Sequence, residues 1–175
     1  MQIGLKKSKG FTLLESLIVA LVIGALIAAS LRFKSFLDTQ SAINTLSSGL
    51  QVLSEKARDT FGTDSLYGVG NLNFVVAKNK GFVDPRYKVV IAGNNATVTN
   101  QYNGAVVLTG FNTYFTYSEV GLPDEVCSSV VTKLSKTWAT VKVGAAADRT
   151  VPVDPNTAAI DCSNTSNTIL LTSKA

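Results

Sequence analysis

The chain has 175 residues, 46% of them apolar, and a formal charge of +4, enough for one globular unit with an appended element and too little for two independent domains. It has no histidine and only two cysteines, which removes the commonest general base and transition-metal ligand, so no enzyme activity, cofactor or metal is expected. Three of the positive charges, Lys6, Lys7 and Lys9, lie in the first ten residues; the +1 body that remains has no long basic run, and no nucleic-acid partner is expected.

Residues 11–31, FTLLESLIVALVIGALIAASL, are almost continuously apolar and as a helix would cover ~30 Å, about one hydrocarbon core. The lysines before this span put the N-terminus in the cytoplasm and everything after Arg32 on the far side. A secretory signal would be cut after its apolar region, where Ala28-Ala29-Ser30 makes a poor site. Gly10 stands instead at the junction of charged and apolar sequence, where glycine resists helix continuation and lets a protease approach the backbone closely. It also reads as a simple helix-entry glycine. Glu15 is an isolated carboxylate ~7 Å inside the span, where its cost is below the roughly 2.5 to 3.5 kcal/mol of the bilayer centre. It completes a Thr12-x-x-Glu15 capping box and suits the positive helix end, readings compatible with a further partner. Gly24 weakens the helix by about 1 kcal/mol relative to alanine and marks a flexible point or a close helix contact.

The segment KGFTLLESLIVALVIG, residues 9–24, resembles the class III leader of type IV pilins. That resemblance implies that a prepilin peptidase removes residues 1–10 by cutting between Gly10 and Phe11, and that the new amine of Phe11 is methylated. It further implies that Glu15 pairs with the Phe11 amine of a neighbouring subunit as that subunit docks into a growing fibre.

Beyond Arg32 the apolar positions keep a heptad rhythm, with Phe36, Ile43, Leu50 and Ala57 at one position and Leu46 and Leu53 at the other. One helix over residues 11–61, about 75 Å long, is expected, its second half laying one stripe on a soluble head formed by residues 62–175. About three heptads and the strands that follow argue against a coiled-coil stalk. The helix-kinking proline of many type IV pilins would fall near Arg32 and is absent, a departure that points to the type IVb branch, although the short leader and Phe11 look more like type IVa.

Gly62 and the glycine-rich residues 67–71 are expected to end the helix and open a loop. Strands are expected at 74–77, 88–92, 96–99, 105–109 and 113–120, with a hairpin loop at Gly93-Asn94-Asn95 and a tight turn at Asn103-Gly104. Pro123-Asp124-Glu125 starts a second helix carrying Cys127, with Val130, Leu134 and Trp138 at helical spacing; Trp138 reads as a core aromatic rather than a surface adhesive residue. Residues 140–143 and 168–172 look like closing strands around a polar loop containing Cys162. Beside an export-type N-terminus, Cys127 and Cys162 read best as one disulfide closing residues 127–162, with two buried free thiols as the alternative. Asp148, Asp154 and Asp161 are spaced too widely for a calcium loop.

This order of elements, and the run Gly121-Leu122-Pro123-Asp124-Glu125-Val126-Cys127 followed by Leu134 and Trp138, resembles the type IVb pilins, including the PilS-like thin-pilus pilins of conjugative plasmids. The expected fold is therefore α+β, a type IV pilin fold with a long N-terminal helix on an antiparallel sheet and a C-terminal disulfide-closed region. The resemblance implies the major subunit of a type IV pilus used for adhesion, aggregation or conjugative mating contact. It implies a homopolymer served by prepilin peptidase, an assembly platform with its ATPase and an outer-membrane secretin. Before assembly the subunit would sit in the bacterial inner membrane, afterwards in the extracellular pilus. A minor pilin or tip adhesin, and a type II secretion pseudopilin, share the same N-terminus.

Overall fold

The computed structural model describes residues 13–61, 67–79 and 86–174, and leaves out the side chains of residues 13–14, 32 and 35–36. The expectations for Gly10, Phe11, Thr12 and Gly62 lie outside the described residues. The chain divides after Asp38 into two compact units. In order, the elements are α1 (Leu13–Phe61), β1 (Val69–Asn71), α2 (Asn73–Lys78), β2 (Lys88–Ala92), β3 (Asn95–Thr99), β4 (Ala105–Phe111), β5 (Tyr114–Leu122), α3 (Asp124–Leu134), β6 (Thr140–Val143), β7 (Arg149–Thr150), α4 (Pro155–Asp161) and β8 (Asn167–Thr172).

The second unit is built on an antiparallel sheet of order β2-β3-β4-β5-β8-β6-β7, with β1 also paired to β4. Period-two alternation sends Phe115, Tyr117 and Glu119 of β5 inward and leaves Thr116 and Ser118 on the other face. The inward face meets the C-terminal part of α1. Ile43, Leu46, Leu50, Leu53 and Ala57, the heptad positions whose side chains are described, are all buried and join Leu108, Phe115, Tyr117, Val141, Ile169 and Leu171 in one apolar cluster. Each large aliphatic chain on that stripe contributes roughly 1.5–3 kcal/mol by leaving water.

Residues 74–77, expected as a strand, lie instead in helix α2. The backbone turns because Asn71 Oδ1 accepts the Asn73 N–H at 2.8 Å, and because Asn73 does a strand's work with its side chain. Its Nδ2 donates to the Val106 carbonyl and its Oδ1 accepts from the Leu108 N–H, both at 2.8 Å. These two groups lie on the β4 edge between the stretch paired with β3 and the stretch paired with β1. A single buried amide thus fills a gap in the ladder that would otherwise leave backbone groups unsatisfied.

The Asn103-Gly104 turn forms as expected, with Asn103 at φ 60°. Its organiser is Asn100, whose Oδ1 accepts from Tyr102 N and Gly104 N and whose Nδ2 donates to the Val120 carbonyl and to Glu119 Oε1. Glu119 is wholly buried and also accepts from the Tyr117 hydroxyl at 2.7 Å. Burial pushes its carboxyl up to about 7, against the lowering effect of the Tyr117 and Asn100 donors. A carboxyl raised above its unfolded value of 4.5 binds its proton more tightly in the folded chain. Its contribution to stability is full below about pH 4.5 and is lost as pH rises through about 7, a swing of about 3 kcal/mol. Thermal denaturation at pH 5 and pH 8 should show wild type losing more stability over this interval than Glu119→Gln, whose amide carries no proton to lose. Equal losses in the two proteins would show that Glu119 does not titrate in this range.

Candidate functional site

Within the first unit, described side chains of α1 present apolar groups on every side. Leu17, Ile18 and Val19, and again Leu21, Val22 and Ile23, are each about half exposed or more, and successive residues step around a helix by ~100°. A helix apolar all round requires protein or lipid about it. Among the described residues no helix is long and apolar enough to cross a membrane.

Glu15 lies in the first turn of α1 and is exposed, where a negative charge complements the positive helix end. A Cβ placed on Gly24 would meet no heavy atom within 4 Å, so the fold itself provides no packing reason for glycine there. Gly10 and Phe11 fall outside the described residues.

In the second unit Cys127 and Cys162 are joined, with sulfurs 2.02 Å and Cα atoms 5.8 Å apart, and both residues are buried. Pro123 caps the start of α3, Asp124 and Glu125 occupy its first turn, and Cys127 is buried on it with Val126, Val130, Val131 and Leu134. The helix stops at Leu134, so Trp138 is not on it. Just past its end, the Ser135 and Thr137 hydroxyls bond back to the carbonyls of Thr132 and Leu134. Trp138 is nonetheless a core residue, buried and edge-on to Phe115 with ring centroids 5.7 Å apart.

The segment expected as a polar loop contains β7 and α4. Asp154 caps α4 by accepting from Asn156 N and Thr157 N at 3.0 Å and from the Thr157 hydroxyl, and these bonds hold its carboxyl below the ordinary range. Asp161 receives Arg149 in a two-bond fork at 2.8 and 2.7 Å, tying the end of α4 to β7. Two of the three aspartates weighed as calcium ligands are therefore occupied in holding this region. Among the described residues no group of three or more histidines, cysteines, aspartates or glutamates is placed to hold a metal. The Asp154-Pro155 pair, a helix-start signature, was the legible signal for α4. The Arg149–Asp161 fork had none at sequence level.

Comparison with known proteins gives two family matches. Residues 39–174 match the family described as PilS N terminal, and residues 5–31 match the prokaryotic N-terminal methylation motif. No curated protein matches the chain. Among solved structures, the type IV b pilin from Salmonella typhi superposes with a TM-score of 0.62 at 20% identity, over 75% of this chain and 99% of that one. TcpA, a type IV pilin from the El Tor biotype of Vibrio cholerae, gives 0.46 at 14% identity, over 78% of this chain and 98% of that one.

Proposed function

Because the chain belongs to the PilS N-terminal family and is a type IV pilin of that branch, we propose that it is the major structural subunit of a type IVb pilus. In this reading it polymerises through its N-terminal helix into an extracellular fibre that serves adhesion, aggregation or mating contact, and it performs no covalent chemistry of its own. The observation that carries the proposal is the exposed, all-round apolar surface of α1 with a carboxylate in its first turn.

Before assembly, residues 11–31 sit in the inner membrane as a single span with the head outside. Prepilin peptidase cuts after Gly10, and Phe11 becomes the methylated first residue. The lipid around the helix is then replaced by the helices of neighbouring subunits in the fibre core. Glu15 pairs with the Phe11 amine of an adjacent subunit, so that two charges neutralise each other as they leave the bilayer. Gly24, with nothing in its own fold to pack against, supplies a point where the helix can bend on entering the fibre. Export and elongation require the assembly platform, its ATPase and an outer-membrane secretin.

Intact mass and N-terminal sequencing of fibres sheared from cells test this directly. The expected product starts at a methylated Phe11, lacks two hydrogens for the disulfide, and dominates the filament. A chain that keeps residues 1–10 in the membrane fraction overturns the reading. Glu15→Ala should leave cleavage intact and reduce fibre yield at least about tenfold, the effect of losing one charge pair in a dry interface. Normal fibres from that variant alone would exclude the docking role while leaving the subunit assignment in place.

A further inference from the structure

Residues directly opposite one another in antiparallel strands point to the same face. The registers of this sheet place a threonine on five neighbouring strands in one line. Thr109 of β4 faces Thr116 of β5, Thr116 faces Thr172 of β8, Thr172 faces Thr140 of β6, and Thr140 faces Thr150 of β7. The row crosses the side of the sheet opposite the buried Phe115, Tyr117, Val141 and Leu171, and at ~4.8 Å per strand it is about 19 Å long. Among the described residues none of the five hydroxyls has a hydrogen-bond partner within the chain.

Two residues along the strands from Thr109 and Thr116, Phe111 and Tyr114 stack with centroids 5.0 Å apart and planes within 11°; both are exposed. The acid of β5, Glu119, faces the other way and is buried. Of the cations on these strands, Arg149 is held by Asp161 and Lys142 stands one row away, opposite Leu170.

An uncharged line of groups that both donate and accept, flanked by exposed rings, matches a ligand that is itself a line of hydroxyls with apolar C–H faces. A nucleic acid needs several cations that this row lacks. A second sheet packing face to face needs inward apolar side chains, not hydroxyls. We propose that the threonine row is a binding track for a single, neutral, extended β-linked glycan chain, with one sugar ring lying against Phe111 and Tyr114. Successive pyranose rings repeat at close to one strand spacing, so each ring meets one threonine. The sheet twists by ~20° per strand, which a lone chain can follow by rotating at each linkage and the flat face of a crystalline polysaccharide cannot. The inference does not depend on polymerisation.

The test uses the full-length chain in a zwitterionic detergent without a sugar headgroup, titrated calorimetrically with β-1,4-linked hexasaccharides of glucose and of N-acetylglucosamine. The variant is Thr116→Val/Thr140→Val/Thr172→Val, in which valine keeps the branched shape and strand preference and only the hydroxyls are lost. An unchanged melting temperature confirms that its fold is kept. Saturable binding to at least one hexasaccharide is expected, insensitive to added salt and weakened at least about tenfold by the triple variant and by Tyr114→Ala. The proposal is overturned by no saturable binding to either hexasaccharide or by undiminished binding in the valine variant. Salt-sensitive selection of a sulfated glycan over both neutral ones, or self-association of the wild type that the valine variant abolishes, would overturn it equally.

Discussion

Replacing both Cys127 and Cys162 with serine should lower the unfolding free energy of the head by about 4 kcal/mol, the chain-entropy value for a closed loop of this length. The bond spans a sequence separation of 35 and encloses β6, β7 and α4, elements of four, two and seven residues that are too short to be stable alone. Both sulfurs sit among apolar neighbours in the core, so serine would also bury hydroxyls there at further cost. Urea denaturation of the double variant, and of the wild type with and without reductant, measures the effect. A loss below about 1 kcal/mol would mean that the Arg149–Asp161 fork and the Asp154 cap hold the region unaided.

Gly104→Ala should be comparably damaging, about 3–5 kcal/mol, at the upper end of what single substitutions do. A Cβ at this position would lie 1.6 Å from the Val120 carbonyl oxygen and 2.5 Å from its carbon. Both atoms are backbone, so no rotamer change relieves the clash, and β4 and β5 must separate at this end. Asn100, which bonds Gly104 N and the Val120 carbonyl together, would lose its site, and Glu119 would lose the Asn100 donor. Gly24→Ala is the informative control, because open space surrounds its Cβ. It should leave the unfolding of the head unchanged within about 0.5 kcal/mol. Both are read from urea midpoints at constant m-value, and an undisturbed midpoint for Gly104→Ala would mean that the two strands yield without cost.

Periodicity made the helix stripe legible: Ile43, Leu46, Leu50, Leu53 and Ala57 face the core because a helix must bury one face, whatever lies opposite. Turn chemistry did the same for the β2–β3 and β3–β4 connections, where Gly93 and Asn103 adopt positive φ. The run Phe74-Val75-Val76 has strand-like composition and misled, since its conformation is decided by the Asn73 amide bonding to a β4 edge more than thirty residues away. Tertiary context of that kind leaves no local trace. Trp138 was read correctly as core and wrongly as helical, because its spacing from Leu134 fits a helix face while α3 stops at Leu134 and the chain brings Trp138 into the core from a bend. The motif around Gly10, Phe11 and Glu15 was readable as short contiguous sequence. The threonine row was not, since its members come together only through the registers of five strands.

The position of β8 between β5 and β6 bears on the order in which the head can be built. Strands β2 to β5 can pair as soon as they exist, and β6 with β7 can form a separate hairpin, but the two halves share no edge until β8 joins them. As the chain emerges from N- to C-terminus, β8 arrives after every other strand. Folding of the head is therefore gated by the arrival of β8, and until then the facing edges of β5 and β6 remain unpaired and open to a chaperone or to another strand.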